Sequence, residues 1–187
     1  GMLFNAKTDS LDFSNHMVAF DMAGILSDSE LLGALSSYIF HAFTEVINHD
    51  PTPHILFIDE MVQYLNNPIF APFIAKGVRE IRKRNGVLVG AVQEASSLTN
   101  SDIGKVIINN SATYILFPDP TAIAEDYLGS SEDDKNSKVG LGLTDAEFMW
   151  IKEANPEREV MVKRRGGESV ILNIDCLLYT SPSPRDR

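Results

Sequence analysis

Two carboxylates and one carboxamide each follow directly on an apolar run. Asp59 and Glu60 close the stretch Pro53-His54-Ile55-Leu56-Phe57-Ile58, and Gln93 closes Val87-Leu88-Val89-Gly90-Ala91-Val92. Ile55 to Ile58 is apolar at every position, which predicts a strand covered on both faces, as in a parallel sheet. Carboxylates at the carboxyl end of such a strand lie where open α/β sheets take up their ligands. Charge at that place needs a metal ion, a phosphate-bound cation or a hydrogen-bond network to compensate it. The chemistry available is hydrolytic: Asp59 supports a divalent cation, and Glu60 polarises a water for attack on a phosphate. The competing reading is a strand running into a helix N-terminus, where acidic residues are also favoured. Gln93 likewise has two readings, a partner for a terminal phosphate or its attacking water, or a cap on the next helix.

Two basic groups could act on the same chemistry. Arg79, Arg82, Lys83 and Arg84 precede the second apolar run, and Lys163-Arg164-Arg165 lies late in the chain. Arginine is planar and always charged, which suits it to phosphate charge developing in a transition state. Taken singly, each cation reads as a solvated helix face or turn. A metal site for phosphoester cleavage at Asp59 and Glu60 has no further His/Asp cluster to support it.

These residues need elements to hold them. Four apolar runs are candidate parallel strands: Met17 to Phe20, Ile55 to Ile58, Val87 to Val92 and Ala112 to Phe117. Between them, Leu31, Leu32, Leu35, Ile39, Phe43 and Ile47 keep a helical period, with Ser29 as N-cap and a stop at Asn48-His49-Asp50-Pro51. From Pro68 a second helical pattern runs through Ile74 and Ile81 to Asn85-Gly86. Strands alternating with helices predict βαβ units. Past Pro118, Ser130 to Ser137 reads as a polar, mobile loop. Thr144 and Glu147 have the spacing of a capping box. Val160 to Lys163 and Ser169 to Ile174, joined by Gly166-Gly167, read as a closing hairpin.

The 187 residues, 44% of them hydrophobic, suffice for one globular domain with a core. With 26 acidic against 16 basic residues the net charge is -10, so nucleic acid is a less favoured partner. Cys176 is the single cysteine, which rules out an intramolecular disulfide and fits a reducing cytoplasmic setting. No apolar run is long enough to span a bilayer. Gly1 before Met2 resembles the residue left by tag cleavage, and 177–187 turns to Ser/Pro/Arg composition, read as a non-native or disordered tail.

In order and spacing, several motifs resemble the C-terminal half of the VirB/TraC-class ATPases of type IV secretion and conjugation systems. They are Val18-Ala19-Phe20-Asp21-Met22, Ile55-Leu56-Phe57-Ile58-Asp59-Glu60, Arg79-Glu80-Ile81-Arg82-Lys83-Arg84-Asn85-Gly86 and Val89-Gly90-Ala91-Val92-Gln93. Gly140-Leu141-Gly142-Leu143-Thr144 and Lys163-Arg164-Arg165-Gly166-Gly167 fit as well, so the resemblance covers residues 3 to 175. It implies an α/β, RecA-like P-loop NTPase type parallel sheet with flanking helices, present as a partial domain over residues 1–176 and closed by the C-terminal β-hairpin. Ile55 to Glu60 would be a Walker B motif, with Asp59 supporting Mg2+ indirectly, Glu60 as catalytic carboxylate and Gln93 as sensor, all three on the ATP side. Arg82 and Lys83 fall in the family's basic motif. Arg164 or Arg165 falls at its late arginine, which acts on a neighbour's nucleotide. The resemblance further implies ATP and Mg2+ as cofactors and a homo-hexamer docked peripherally on the cytoplasmic side of the inner membrane. Its partners there would be components of a secretion channel, and its work pilus assembly or substrate transfer. A DNA-translocating HerA/FtsK-type motor or coupling protein, and a noncatalytic scaffold, are the alternatives.

Two departures from the pattern stand out. Met61-Val62 replaces a small-then-aromatic pair after the carboxylates. No G-x-x-x-x-G-K-[ST] occurs, and Gly140-Leu141-Gly142-Leu143 lacks the Lys and follows no apolar strand. The chain alone is thus expected to bind Mg-ATP weakly or not at all. It is also expected to self-associate through the sheet surface that a missing half would cover.

Overall fold

A computed structural model describes residues 12–128, 139–156 and 158–174. Cys176, the tail 177–187 and the expected loop Ser130 to Ser137 lie outside the described residues. The chain divides into two compact units, one formed by residues up to Ile58 together with Gln63–Val89, the other by Asp59–Val62 and the chain from Gly90 onward.

In the first unit, α1 (Ser29–His49) turns Leu32, Phe40, Phe43 and Ile47 to the interior. Its N-cap is Asp28 rather than the expected Ser29; the Asp28 carboxylate accepts from the Leu31 N–H at 3.0 Å. β1 (His54–Ile58) follows, then α2 (Met61–Leu65), whose first two residues belong to the second unit. The helix expected from Pro68 starts at α3 (Ala71–Glu80), after Asn67 has taken the Ile69 and Phe70 N–H groups on its side-chain oxygen. A 3-10 turn, Ile81–Arg84, prolongs it, and Asn85 ends it in the left-handed region at φ 54°. β2 (Gly86–Gly90) lies beside β1. The pair is parallel: His54 N–H donates to Asn85 C=O at 3.1 Å, and past the strand ends Met61 N–H donates to Ala91 C=O at 2.9 Å. Phe43, Ile47 and Ile81 pack with Leu56 and Leu88 beneath this pair.

The second unit holds α4 (Ser96–Thr99), α5 (Asp102–Asn110), β3 (Thr113–Leu116), α6 (Ala124–Tyr127), α7 (Asp145–Glu153), β4 (Glu159–Arg164) and β5 (Ser169–Asn173). Ile108, Ala122, Tyr127, Leu141, Leu143 and Ile151 form its core. The expected capping box is present, Thr144 accepting from Glu147 N–H while the Glu147 carboxylate accepts from Thr144 N–H. The hairpin β4–β5 forms as read, with Lys163 opposite Ser169.

Three expectations are corrected. Met17 to Phe20 forms no strand; it pairs with no strand among the described residues, and Met17 is 85% exposed. Ala112 to Phe117 supplies β3, which does not join β1 and β2 but pairs antiparallel with β4, Leu116 opposite Met161. Ile55 and Phe57 are not covered: they stand 69% and 61% exposed on one face of β1, while Leu56 and Ile58 point inward. Among the described residues, no element packs on that face. The architecture is thus α/β with one parallel strand pair, its helices, and a separate three-stranded antiparallel sheet.

Candidate functional site

Strand β1 stops at Ile58 because the chain turns sharply at the next two residues. Glu60 adopts φ 46°, the left-handed region that L-residues seldom enter. Two hydrogen bonds from backbone N–H groups hold this turn: Glu60 N–H donates to the Asp59 side-chain carboxylate at 3.0 Å, and Met61 N–H donates to Ala91 C=O at 2.9 Å. The second bond ties the turn to the segment that follows β2 and so sets where Gln93 stands. The Gln93 carboxamide donates to Glu60 Oε1 at 3.5 Å, the long limit of such a bond. Asp59, Glu60, Ala91, Val92 and Gln93 line an open cavity of about 310 Å³. Both carboxylates and the amide are exposed to solvent there.

The three residues thus converge from the carboxyl ends of two successive strands. Gln93 does not cap the next helix: α4 has Ala95 at its N-cap and no side-chain cap. The competing reading of the carboxylates has its geometry too, since Asp59 and Glu60 immediately precede α2. A helix of five residues offers little dipole to attract two charges, so the cavity is the stronger account of the pair. As a donor set, two carboxylates and an amide on open space suit a hydrated Mg2+, which keeps most of its water. Among the described residues, no group of three or more His, Cys, Asp or Glu could bind a metal directly.

The sequence-predicted cations divide. Arg82 and Lys83 stand exposed on the 3-10 turn of the first unit, without an ion pair among the described residues. In the second unit, Arg164 is exposed at the end of β4, equally unpaired among the described residues. Arg165 is committed: its guanidinium donates to the Asn109 backbone and side-chain oxygens, and its N–H to Ala112 C=O at 3.0 Å. Lys163, expected among the exposed turn cations, is buried instead and paired with Glu147 at 2.8 and 3.0 Å. Burial pushes the Glu147 carboxyl up, but hydrogen bonds from Lys163, Thr144 and Ser169 outweigh it and hold it at about 2.

Sequence reasoning missed that pair, although Lys163 shares strand parity with the buried Met161 and Glu147 was already placed in the capping box. It also missed the buried bond from the Thr99 hydroxyl to the Asp126 carboxylate, for which distant sequence positions give no signal.

Fold and site together define an α/β protein with carboxylates and a polar amide at the carboxyl ends of adjacent parallel strands, where open α/β sheets bind their ligands. Comparison with known proteins narrows this. No family model matches the chain. Over 94% of its length it is similar to VirB4 of Agrobacterium fabrum (29% identity over 177 residues) and to the type IV secretion system protein VirB4 of Bartonella quintana (30% over 176 residues). It is likewise 27% identical over 179 residues to the type IV secretion system protein PtlC of Bordetella pertussis. The chain spans about a fifth of the length of these relatives, 21%, 21% and 20%. Its fold matches the structure of VirB4 of Thermoanaerobacter pseudethanolicus with a TM-score of 0.61 at 17% identity, over 89% of this chain and 42% of that one. The resemblance read from the motifs is borne out: the chain is a relative of the VirB4 and PtlC proteins of type IV secretion systems.

Proposed function

We propose that this chain is the C-terminal portion, residues 1–176, of a RecA-like ATPase domain in a type IV secretion or conjugal-transfer motor, one that couples ATP hydrolysis to pilus assembly or substrate transfer. One observation carries the reading: Asp59, Glu60 and Gln93 converge on one cavity from two adjacent strand ends. Kinship with VirB4 proteins along 94% of the chain supports it.

In this reading Asp59 holds the water shell of Mg2+, which when bound screens the phosphate charge. Glu60 accepts a proton from the attacking water, and Gln93, already beside the Glu60 carboxylate, donates to that water or to the terminal phosphate. The left-handed Glu60 backbone fixes the carboxylate before substrate arrives. Arg82, Lys83 and Arg164, like Arg79 and Arg84, are exposed and without an ion pair among the described residues, and so are candidates to act on a neighbouring subunit's nucleotide in a homo-hexamer. Arg165 keeps a weaker claim because Asn109 holds it. With no G-x-x-x-x-G-K-[ST] in its sequence, this chain by itself does not turn over ATP. The complete motor works at the cytoplasmic side of the inner membrane against secretion-channel components. No helix among the described residues is long and apolar enough to cross a membrane.

The test is Glu60→Gln in the complete protein. Steady-state ATP hydrolysis should fall by about 10² to 10⁴, the usual contribution of a positioned base, with nucleotide binding retained. Turnover unchanged by the substitution would remove the hydrolytic role and leave a scaffold. A rate that rises with added DNA would point instead to a DNA-translocating motor.

A further inference from the structure

Met61 stands where the resemblance predicts a small residue, yet it is among the most buried side chains, 1% exposed. What receives it is Gly90, the last residue of β2. A Cβ placed on Gly90 would lie 2.5 Å from the Met61 Sδ and overlap its Cε, but would clear the Met61 Cβ at 3.6 Å. The thioether therefore occupies the space that any side chain at position 90 would need. Gly90 does not adopt a positive φ, so what glycine provides there is space for the Met61 side chain.

This contact sits between the two halves of the candidate site. Met61 directly follows Glu60, Gly90 directly precedes Ala91, and Met61 N–H to Ala91 C=O is the bond that joins the segments. We infer that Met61 and Gly90 are a size-matched pair of positioning residues, which seat the α2 turn against the end of β2 and so hold the Glu60 carboxylate beside the Gln93 carboxamide. The thioether anchors the residue after Glu60, and the anchored amide leaves Glu60 little choice but its left-handed turn. The overlap falls on the flexible end of Met61 and not on backbone, so it matters only because Met61, 1% exposed, is packed on its other sides. A larger residue at 90 then pushes the whole of residue 61, loosening the Met61–Ala91 bond and moving the carboxylate from the amide. Shrinking residue 61 at the same time removes the collision, because only the outer side-chain atoms of Met61 clash. The idea rests on Glu60 and Gln93 acting together, as proposed above, but its test needs no nucleotide. Failure here is therefore distinguishable from failure of Glu60→Gln.

The experiment compares this 187-residue chain with its Gly90→Ala and Met61→Ala/Gly90→Ala variants. Hydrogen exchange reads the Met61 amide. Glutamine-selective ¹⁵N NMR reads the Gln93 carboxamide, with the exposed Gln63 as internal reference, since these are the only two glutamines. Gly90→Ala should speed Met61 exchange at least about tenfold and shift the Gln93 signal while leaving Gln63 in place. The double variant should restore both, although it has lost a buried side chain. Folding of the double variant alone, with a native Gln93 signal, would support the pair equally. Unchanged Met61 exchange in Gly90→Ala, or changes that Met61→Ala does not reverse, would overturn it. So would a double variant that fails to fold.

Discussion

Replacing Lys163 by Met should make the chain's stability lose much of its pH dependence below neutrality. Lys163 and Glu147 are 8% and 12% exposed at their side chains and meet at 2.8 Å, joining β4 to α7. The Glu147 carboxyl, ordinarily at 4.5, lies at about 2, because the hydrogen bonds from Lys163, Thr144 and Ser169 exceed the burial that opposes them. A lowered carboxyl contributes stability that is complete above its unfolded value and is lost as pH falls through its folded one. The window therefore runs from 4.5 down to about 2. A change of that size corresponds to about 3 kcal/mol, and solvent screening reduces it to roughly 1–2 kcal/mol. Lys163→Met also leaves a charge buried without its partner, which costs up to about 3–5 kcal/mol when a buried pair is broken one-sidedly. Urea unfolding followed by Trp150 emission suits the question, since this single tryptophan sits on α7 itself. The expected result is a loss of about 2–4 kcal/mol at pH 7, a much smaller loss near pH 3, and recovery of most of it in Glu147→Gln/Lys163→Met. Equal pH slopes in the variant and the parent would refute the argument.

Other outcomes follow from the same geometry. Ile55, Phe57 and Val87 are 69%, 61% and 52% exposed on the β1–β2 pair, so the chain should self-associate in sedimentation velocity, and Phe57→Lys should reduce it. A single monomer boundary at every concentration would contradict this. Arg165→Ala should lower stability by about 1 kcal/mol through its lost bonds to Asn109. Arg164→Ala should stay within about 0.5 kcal/mol. If Arg164 acts across a subunit boundary, then in the complete protein inactive Arg164→Ala and Glu60→Gln subunits should regain ATP turnover when mixed. No recovery would place Arg164 elsewhere. Burial pushes the Tyr114 and Tyr127 phenols above 10.0, with Asp119, Asp126 and Glu94 adding to the effect at Tyr127. The stability they contribute is complete below pH 10 and lost as pH rises through their folded values, so two of the five tyrosines should ionise late in an ultraviolet titration.

The parts of the fold legible in the sequence were those set by local chemistry. The capping box at Thr144, the Gly166-Gly167 hairpin and the stop at Asn85 each depend on a few neighbouring residues, and each is present. The convergence of Asp59, Glu60 and Gln93 was legible for a related reason. Two apolar runs ending in polar groups, joined by a helical crossover, must place those ends side by side if the strands are parallel. What could not be read depended on partners. Met17 to Phe20 has the composition of a strand but pairs with nothing among the described residues. Ala112 to Phe117 has the all-apolar run of a parallel strand and pairs antiparallel, because β4 folds back against it. Ile55 and Phe57 have the composition of covered residues, yet no described residue covers them.

The run Lys163-Arg164-Arg165 shows why adjacent residues of one charge type cannot be assigned one role from sequence. Strand parity turns Lys163 to the side of Met161, where an unpaired ammonium would be costly and Glu147 is needed to accept it. One residue on, Arg164 faces the other side of the sheet and is exposed. Arg165 has left the strand, and its backbone N–H turns to Ala112 while its guanidinium reaches Asn109 at the end of α5. An arginine that must meet phosphate on another subunit has to be both free and able to keep its charge in solvent. Lys163 fails on freedom, Arg165 is held by bonds it would have to break, and Arg164 meets both conditions. The same reasoning retains Arg82 and Lys83, exposed on a turn whose one buried side chain, Ile81, anchors it to the core. Substitutions at Arg82, Lys83 and Arg164 should therefore leave the fold intact, so that any effect on ATP turnover in the complete protein would report on function, whereas substitution at Lys163 changes the fold first.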